Sequence, residues 1–185
     1  MDEQELIAAF KRREHAAVQE LVQSCGDRLL RSAFLLCGNK ADAQDLVQET
    51  FLQALQSAHR FAGRSSIYTW LHAILLNLSR DLKRKQKRFV SDDELGDGPL
   101  SAEDAPQLDA EFASSSLTSA LRRLSPAHRE VLVLRFYENM KIHEIAAHTG
   151  VSRGTVKSRL HYAIAEMQRI VPAELNLFGA QTTKP

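Results

Sequence analysis

The chain has 185 residues, 44% of them hydrophobic and 25% charged, an ordinary balance for a globular protein and enough chain for one large domain or two small ones. Aromatics make up only 6%, with 8 Gly and 5 Pro, which favours helices over a sandwich or barrel. The net charge of +1 conceals a segregation: residues 1–90 carry 14 Lys/Arg and 10 Asp/Glu, residues 91–111 carry eight acids and no base, and residues 112–185 carry ten bases and five acids. Two basic modules joined by an acidic strap point to two contacts with nucleic acid, against the plain alternative that surface charge varies by chance. The N-terminus is acidic (Asp2, Glu3, Glu5), unlike a signal peptide, and no apolar run of about 18 residues exists to span a membrane. A cytoplasmic protein is expected.

In chain order, residues 2–14 read as a first helix, with acids in its first turn and Lys11, Arg12 and Arg13 in its last, both complementing the helix dipole. Residues 15–37 read as a second helix, with Val18, Leu21, Val22, Leu29, Leu30, Ala33 and Phe34 inward and Gly38 ending it. Cys25 and Cys37 on one straight helix would stand about 18 Å apart, too far for a disulfide. Two small buried hydrophobes are the simpler reading, with a redox switch as the alternative. A third helix is expected from about Ala41 to Ala58, with Leu46, Val47, Phe51, Leu52 and Leu55 as its core stripe. Asp42, Asp45, Gln48 and Glu49 fall on or beside its other face, and an acidic face is ordinarily a solvated one.

Residues 59–65 form a loop in which Phe61 need not be buried. Ser66 can cap a fourth helix reaching about Arg88. Its first half is apolar and its second half holds Arg80, Lys83, Arg84, Lys85, Lys87 and Arg88. Cations at a helix C-terminus suit the dipole, but six in nine residues exceed that need, and a phosphate-backbone contact accounts for them better. Phe61, Tyr68 and Trp70 beside such a track could stack unpaired bases, while Trp70 reads equally well as a core residue. Residues 89–111 show no helical or strand period and are rich in acids, Gly and Pro, as expected of a flexible linker.

The second domain starts near Phe112. One helix is marked by Leu117, Ala120, Leu121 and Leu124. A second begins at the cap Ser125 with Pro126 in its first position and continues to about Glu138. Then come Ile142, Ile145 and Ala146 on one face of a short helix, a glycine turn at Gly150, the cap Ser152, and an apolar stripe of Val156, Leu160, Ala163, Ile164 and Met167. The face opposite the stripe carries Gly154, Thr155, Ser158, His161 and Tyr162, flanked by Lys157 and Arg159. Short polar side chains allow close approach to a major groove, cations meet phosphates, and hydroxyls and imidazole reach base edges. The pattern is a helix-turn-helix, set against an ordinary antiparallel helix pair. Pro172 ends the last helix, and residues 172–185 read as a frayed tail.

Catalytic motifs are not evident. His143 and His148 flank Glu144 as in a zinc-protease signature, but they are five apart, about 140° round a helix. No Cys-x-x-Cys, Gly-rich phosphate loop or Gly-x-Ser-x-Gly occurs. No catalytic residue, metal site or cofactor is expected, and the chain reads as a non-enzyme.

The string DAQDLVQETFLQAL (42–55), followed by FAGRSSIYTWLHAILLNLSRDLKRK (61–85), resembles region two of bacterial sigma factors. LRRLSPAHREVLVLRFYENMKIHEIAAHTGVSRGTVKSRLHYAIAEM (121–167) resembles their region four. With no domain between them, the chain is similar to the short extracytoplasmic-function group. The resemblance implies an all-α fold of two small helical domains: a four-helix region-two domain over 1–88 and a region-four domain over 112–171, joined by the acidic flexible linker 89–111 and followed by the tail.

The resemblance further implies an alternative RNA polymerase sigma factor, one that binds core RNA polymerase, recognises promoter DNA and helps melt it, with an anti-sigma factor as a regulatory partner. Asp45, Gln48 and Glu49 would then dock on the polymerase clamp helices, reversing the solvated reading of that face. Phe61, Ala62, Arg64, Ser65 and Ser66 would hold a flipped base of the minus-ten element. Trp70, Asn77, Arg80, Lys83 and Arg84 would follow its strand. The linker would thread towards the polymerase active centre. Arg153, Thr155, Lys157, Ser158, Arg159 and His161 would read the minus-thirty-five element. Ala62 and Arg64 stand where the family often has a basic and an acidic residue, and His161 and Tyr162 where an aromatic and an arginine are common, so the promoter sequence stays open. A two-domain helix-turn-helix regulator that does not act as a sigma subunit is the alternative.

Overall fold

The computed structural model describes residues 2–90 and 116–171, and every regular element among them is helical. The chain divides into two compact units, Met1–Asp104 and Ala105–Pro185. Of the linker expected at 89–111, Phe89 and Val90 instead belong to the fourth helix; its remainder and the tail from 172 lie outside the described residues.

In the first unit, α1 spans Glu3–Lys11, α2 His15–Cys37, α3 Lys40–Ser57 and α4 Ile67–Val90, with a single 3₁₀ turn at Ala58–Arg60. A capping box starts α1: the Glu5 amide donates to the Asp2 carboxylate at 2.8 Å, and the Asp2 amide to the Glu5 carboxylate at 3.1 Å. The helix ends three residues before the expected 14. Arg13 takes a left-handed φ of 60° and Glu14 becomes the N-cap of α2, so the chain reverses where charge alone suggested one more helical turn. Gly38 ends α2 at φ 89°, as its place in the sequence implies. Asn39 caps α3 by accepting from the Asp42 amide at 2.8 Å. α4 runs two residues beyond the expected 88.

α2 and α4 run in the same direction, because their contacts advance together: Arg28 lies over the Tyr68 ring at 4.0 Å and Ser32 Oγ is 2.8 Å from His72 Nε2. α3 lies antiparallel to α4, its Asp42 meeting Gln86 at 3.1 Å. The core between them is Leu21, Leu29, Ala33, Leu36, Ala43, Leu46, Ala54, Leu71, Leu75 and Leu76, at about 1.5–3 kcal/mol for each large side chain taken out of water.

The buried edge of α3 differs from the expected stripe. Thr50 is fully buried and donates its hydroxyl to the Leu46 carbonyl at 2.6 Å, whereas Leu52 is 54% exposed. The hydrogen bond within the helix satisfies the threonine and makes its burial tolerable; Leu52 falls on the opposite side, with the acids. Val22, expected inward on α2, is likewise exposed, one step round from the buried line Leu21, Cys25 and Leu29.

In the second unit, α5 spans Ser116–Arg123, α6 Pro126–Leu132, α7 Ile142–Thr149 and α8 Arg153–Ile170. α6 was expected to stay α-helical to about Glu138. Instead Val133–Tyr137 widens into a π-helical turn, with the Glu138 amide donating to the Val133 carbonyl at 2.9 Å. The extra residue keeps Leu134 in the core and turns Phe136 out to solvent. Arg129 is buried and spans three carbonyls at the end of α5: Nε donates to Leu121 at 2.8 Å, and one terminal nitrogen to Arg122 at 2.7 Å and Leu124 at 3.3 Å. It adds a charged donor to the carbonyls of the helix C-terminus. His128 Nδ1 lies 2.9 Å from a Glu166 carboxylate oxygen, tying α6 to α8.

Candidate nucleic-acid interfaces

The turn between α7 and α8 is local in origin. Gly150 adopts φ 72° and its amide donates to the Ala146 carbonyl at 3.0 Å. Ser152 then caps α8 by accepting from the Thr155 amide at 3.0 Å. Ile145, Val156, Leu160, Ala163 and Met167 are buried, so α7 and α8 pack through the expected stripe. The opposite face of α8 is open: Arg153, Gly154, Lys157, Ser158, His161 and Tyr162 are all exposed, Tyr162 at 62%. Thr155 and Arg159 are half-buried at its border. Gly154, Ser158 and His161 follow one another at steps of four and three and form the centre line. His161 and Tyr162 meet edge to face with ring centroids 5.5 Å apart. The Ser158 hydroxyl donates to the Thr155 carbonyl at 3.0 Å, which leaves its lone pairs as acceptors towards solvent.

The first unit carries a different face. Trp70, Ala73, Asn77, Arg80 and Arg84 are spaced three and four apart and lie on one stripe of α4. Asn77 and Arg84 are exposed, the other three half-buried. The stripe begins at the loop after the 3₁₀ turn, where Ala62, Arg64, Ser65 and Ser66 are exposed and Gly63 turns at φ 68°. Ser66 caps α4 by accepting from the Thr69 amide at 3.2 Å. Phe61, which the sequence left free to be exposed, is only 3% exposed; its ring packs on Trp70 at 5.2 Å between centroids. It is the floor on which Trp70 rests, because the loop folds back over the helix rather than out from it.

α1 forms the other wall of this loop's groove: Glu3, Gln4, Ile7, Ala8 and Lys11 line it opposite Gly63, Arg64, Ser65 and Ser66. The Lys11 ammonium stands 6.0 Å from the Phe61 ring centroid. Sequence reasoning assigned Lys11 only to the helix dipole, and nothing in the residue order links it to a loop fifty residues on.

The cations of α4 differ in their contacts within the unit. Lys83 Nζ donates to the Leu36 carbonyl at the end of α2, at 2.6 Å. Arg84 pairs with Asp81. The side chains of Lys87 and Arg88 lie outside the described residues.

On α3, Asp45, Gln48 and Glu49 are exposed and share their face with the exposed Leu52. Asp45 and Glu49 border an open groove with apolar Leu46, Leu78 and Leu82 along it and Asp81, Arg84 and Lys85 on the far side. The face thus combines negative charge with one exposed apolar residue.

Near these faces the titratable His72 is buried, and Cys37, expected to be buried like Cys25, is half-buried. His72 is pushed down to about 4 by burial and, secondarily, by Arg28; it stays neutral beside Ser32. Burial pushes the Cys37 thiol up, and its Sγ lies 3.2 Å from the Asn39 carbonyl, an environment that suppresses thiolate chemistry. Both cysteines are free thiols. Among the described residues, no group of His, Cys, Asp or Glu could hold a metal ion, and no helix is long and apolar enough to cross a membrane.

Comparison with known proteins assigns both units to one family. The Sigma-70 region 2 family matches residues 21–89 and the Sigma-70 region 4 family residues 120–169. The chain is 35% identical over 146 residues to the ECF RNA polymerase sigma factor SigE of Mycolicibacterium smegmatis, covering 77% of this chain and 56% of SigE. It is 34% identical over 139 residues to the RNA polymerase sigma factor SigV of Bacillus subtilis, covering 75% of this chain and 81% of SigV. The fold is similar to that of the sigma factor RpoE, seen in complex with the anti-sigma factor NepR from Bartonella quintana, with a TM-score of 0.66, 28% identity, and 82% and 94% of the two chains covered. The chain therefore belongs to the sigma-70 family of transcription initiation factors, among the ECF RNA polymerase sigma factors.

Proposed function

We propose that the chain works as the sigma subunit of RNA polymerase in the cytoplasm, without catalysis of its own. Region two over residues 1–88 takes the minus-ten element and opens it; region four over residues 112–171 anchors on the minus-thirty-five element; residues 89–111 link them through the polymerase. The observation that carries this reading is the continuous face from the loop at Ala62–Ser66 into the α4 stripe, in a chain that also holds a duplex-reading helix-turn-helix. A regulator that only binds duplex DNA needs the second feature and not the first.

In mechanism, Arg153, Lys157 and Arg159 meet phosphates while Thr155, Ser158 and His161 approach base edges in a major groove. Arg64, Ser65 and Ser66 surround an unstacked base above the Phe61–Trp70 floor, Ala62 beside them. Asn77, Arg80 and Arg84 follow the separated strand, whose bases can stack on Trp70. Asp45, Gln48 and Glu49, with Leu52, dock on core polymerase; opposite charge on the partner would steer the encounter. An anti-sigma protein is the proposed regulator, in keeping with the complex formed by the similar RpoE.

Run-off transcription with purified core polymerase tests the proposal. Specific initiation from a genomic promoter is expected. Duplex binding by the free chain without any specific initiation would make it an ordinary regulator instead.

A further inference from the structure

α2 ends without a basic residue of its own in the last turn. Its terminal carbonyls carry the negative end of the helix dipole. A cation comes from α4: Lys83, 47 residues further on, donates to the Leu36 carbonyl at 2.6 Å and is half-buried there. One turn along the same side of α4, Gln86 Nε2 donates to the Asp42 carboxylate at 3.1 Å, and the same oxygen accepts from Asn39 Nδ2 at 2.7 Å. Lys83 and Gln86 thus fasten the cationic end of α4 to the corner where α2 turns into α3. Arg84 lies about 100° round the helix from Lys83, and Asn77 about 120°, on the stripe that faces away from this corner.

We propose that Lys83 is a positioning residue of the DNA-opening face and not one of its phosphate contacts. It holds the last turns of α4 in line so that Asn77, Arg80 and Arg84 present one continuous edge to the strand. The inference rests on the reading of that stripe as a DNA face, and the test separates the two.

Promoter binding by the holoenzyme is measured against salt for Lys83→Met, Lys83→Arg and Arg84→Ala, and amide hydrogen exchange across 80–86 is measured on the free full-length chain. Lys83→Met should weaken promoter binding roughly tenfold with the salt slope unchanged, and speed exchange in α4 by roughly tenfold, the scale of one lost charged hydrogen bond. Lys83→Arg, which keeps the charge and a donor, should restore both. Arg84→Ala should leave exchange alone and reduce the slope by about 0.7, one single-strand phosphate contact. Gln86→Ala gives a milder version of the Lys83→Met pattern should that variant fold poorly. A reduced slope for Lys83→Met, or exchange no faster than in the parent chain, overturns the proposal. An unchanged slope for Arg84→Ala overturns the DNA reading of the stripe, and exchange alone then decides whether Lys83 holds the helix.

Discussion

The face on α8 and the face on α4 are built in opposite ways. The start of α8 is set by its immediate neighbours, a left-handed glycine and a serine cap, while its later turns are tied to α6 through Glu166 and His128. Its outer face is short and polar near the start of the helix, so backbone and base edges can come close. α4 is positioned from a distance, by Ser32 against His72 and by Leu36 under Lys83. Its outer face runs from an indole through an amide to guanidinium groups, suited to holding separated bases and their phosphates. A reader of intact duplex needs only a well-set helix. A face that must hold an opened strand also needs a stiff support, because any slack in α4 would reduce the gain from each contact.

The difference can be broken from either side. Arg129→Met removes the buried cation that spans three carbonyls at the end of α5, of which Leu121 keeps the Leu124 amide at 3.2 Å. A loss of about 3 kcal/mol is expected, read in urea unfolding of the full chain as early loss of the second unit, with the Trp70 fluorescence signal of the first unit unmoved.

The first unit should instead respond to acid. His72 is held near 4 in the folded chain against about 6.5 when unfolded. The folded pKa is depressed, so above about 6.5 the group is neutral in both states and costs nothing. As pH falls below that value the unfolded chain takes up a proton that the folded chain refuses, and stability declines until pH reaches about 4. Between pH 7 and 5 the first unit should lose about 2 kcal/mol from this residue. His72→Gln should remove most of that slope in urea titrations at the two pH values; an unchanged slope would assign it to other groups.

The smallest expected effect sharpens the local character of α8. Gly150→Ala meets no atom within 4 Å at the new Cβ but must adopt φ 72°. Backbone strain alone then costs about 1 kcal/mol. Duplex binding should fall while binding of the α4 face to single-stranded minus-ten DNA is unchanged.

The same contrast explains what the residue order disclosed. α2, α7 and α8 were legible because the glycine turns at Gly38 and Gly150 and the serine cap at Ser152 act within three or four residues. The acidic face at Asp45, Gln48 and Glu49 was also legible, but its apolar member Leu52 was not: counting hydrophobic residues placed Leu52 in the core and could not foresee that Thr50, satisfied by Leu46, would take the buried line. The π-helical turn after Leu132, the carbonyl clamp of Arg129 and the groove wall from α1 depend on tertiary partners. Lys83 is the clearest case. In the sequence it is one of six neighbouring cations, and only its contact with a carbonyl 47 residues away separates it from the rest.

In the proposed division of labour, α8 anchors duplex and the loop and stripe of α4 open it. Run-off transcription by the holoenzyme on a closed promoter and on the same promoter with the minus-ten region mismatched open tests it most directly. Trp70→Ala should reduce initiation on the closed template and regain at least about tenfold on the open one, the scale of one base-stacking contact, while His161→Ala should be impaired by the same factor on both. A Trp70→Ala deficit that pre-opening does not relieve, or a His161→Ala deficit that it does, would contradict the account.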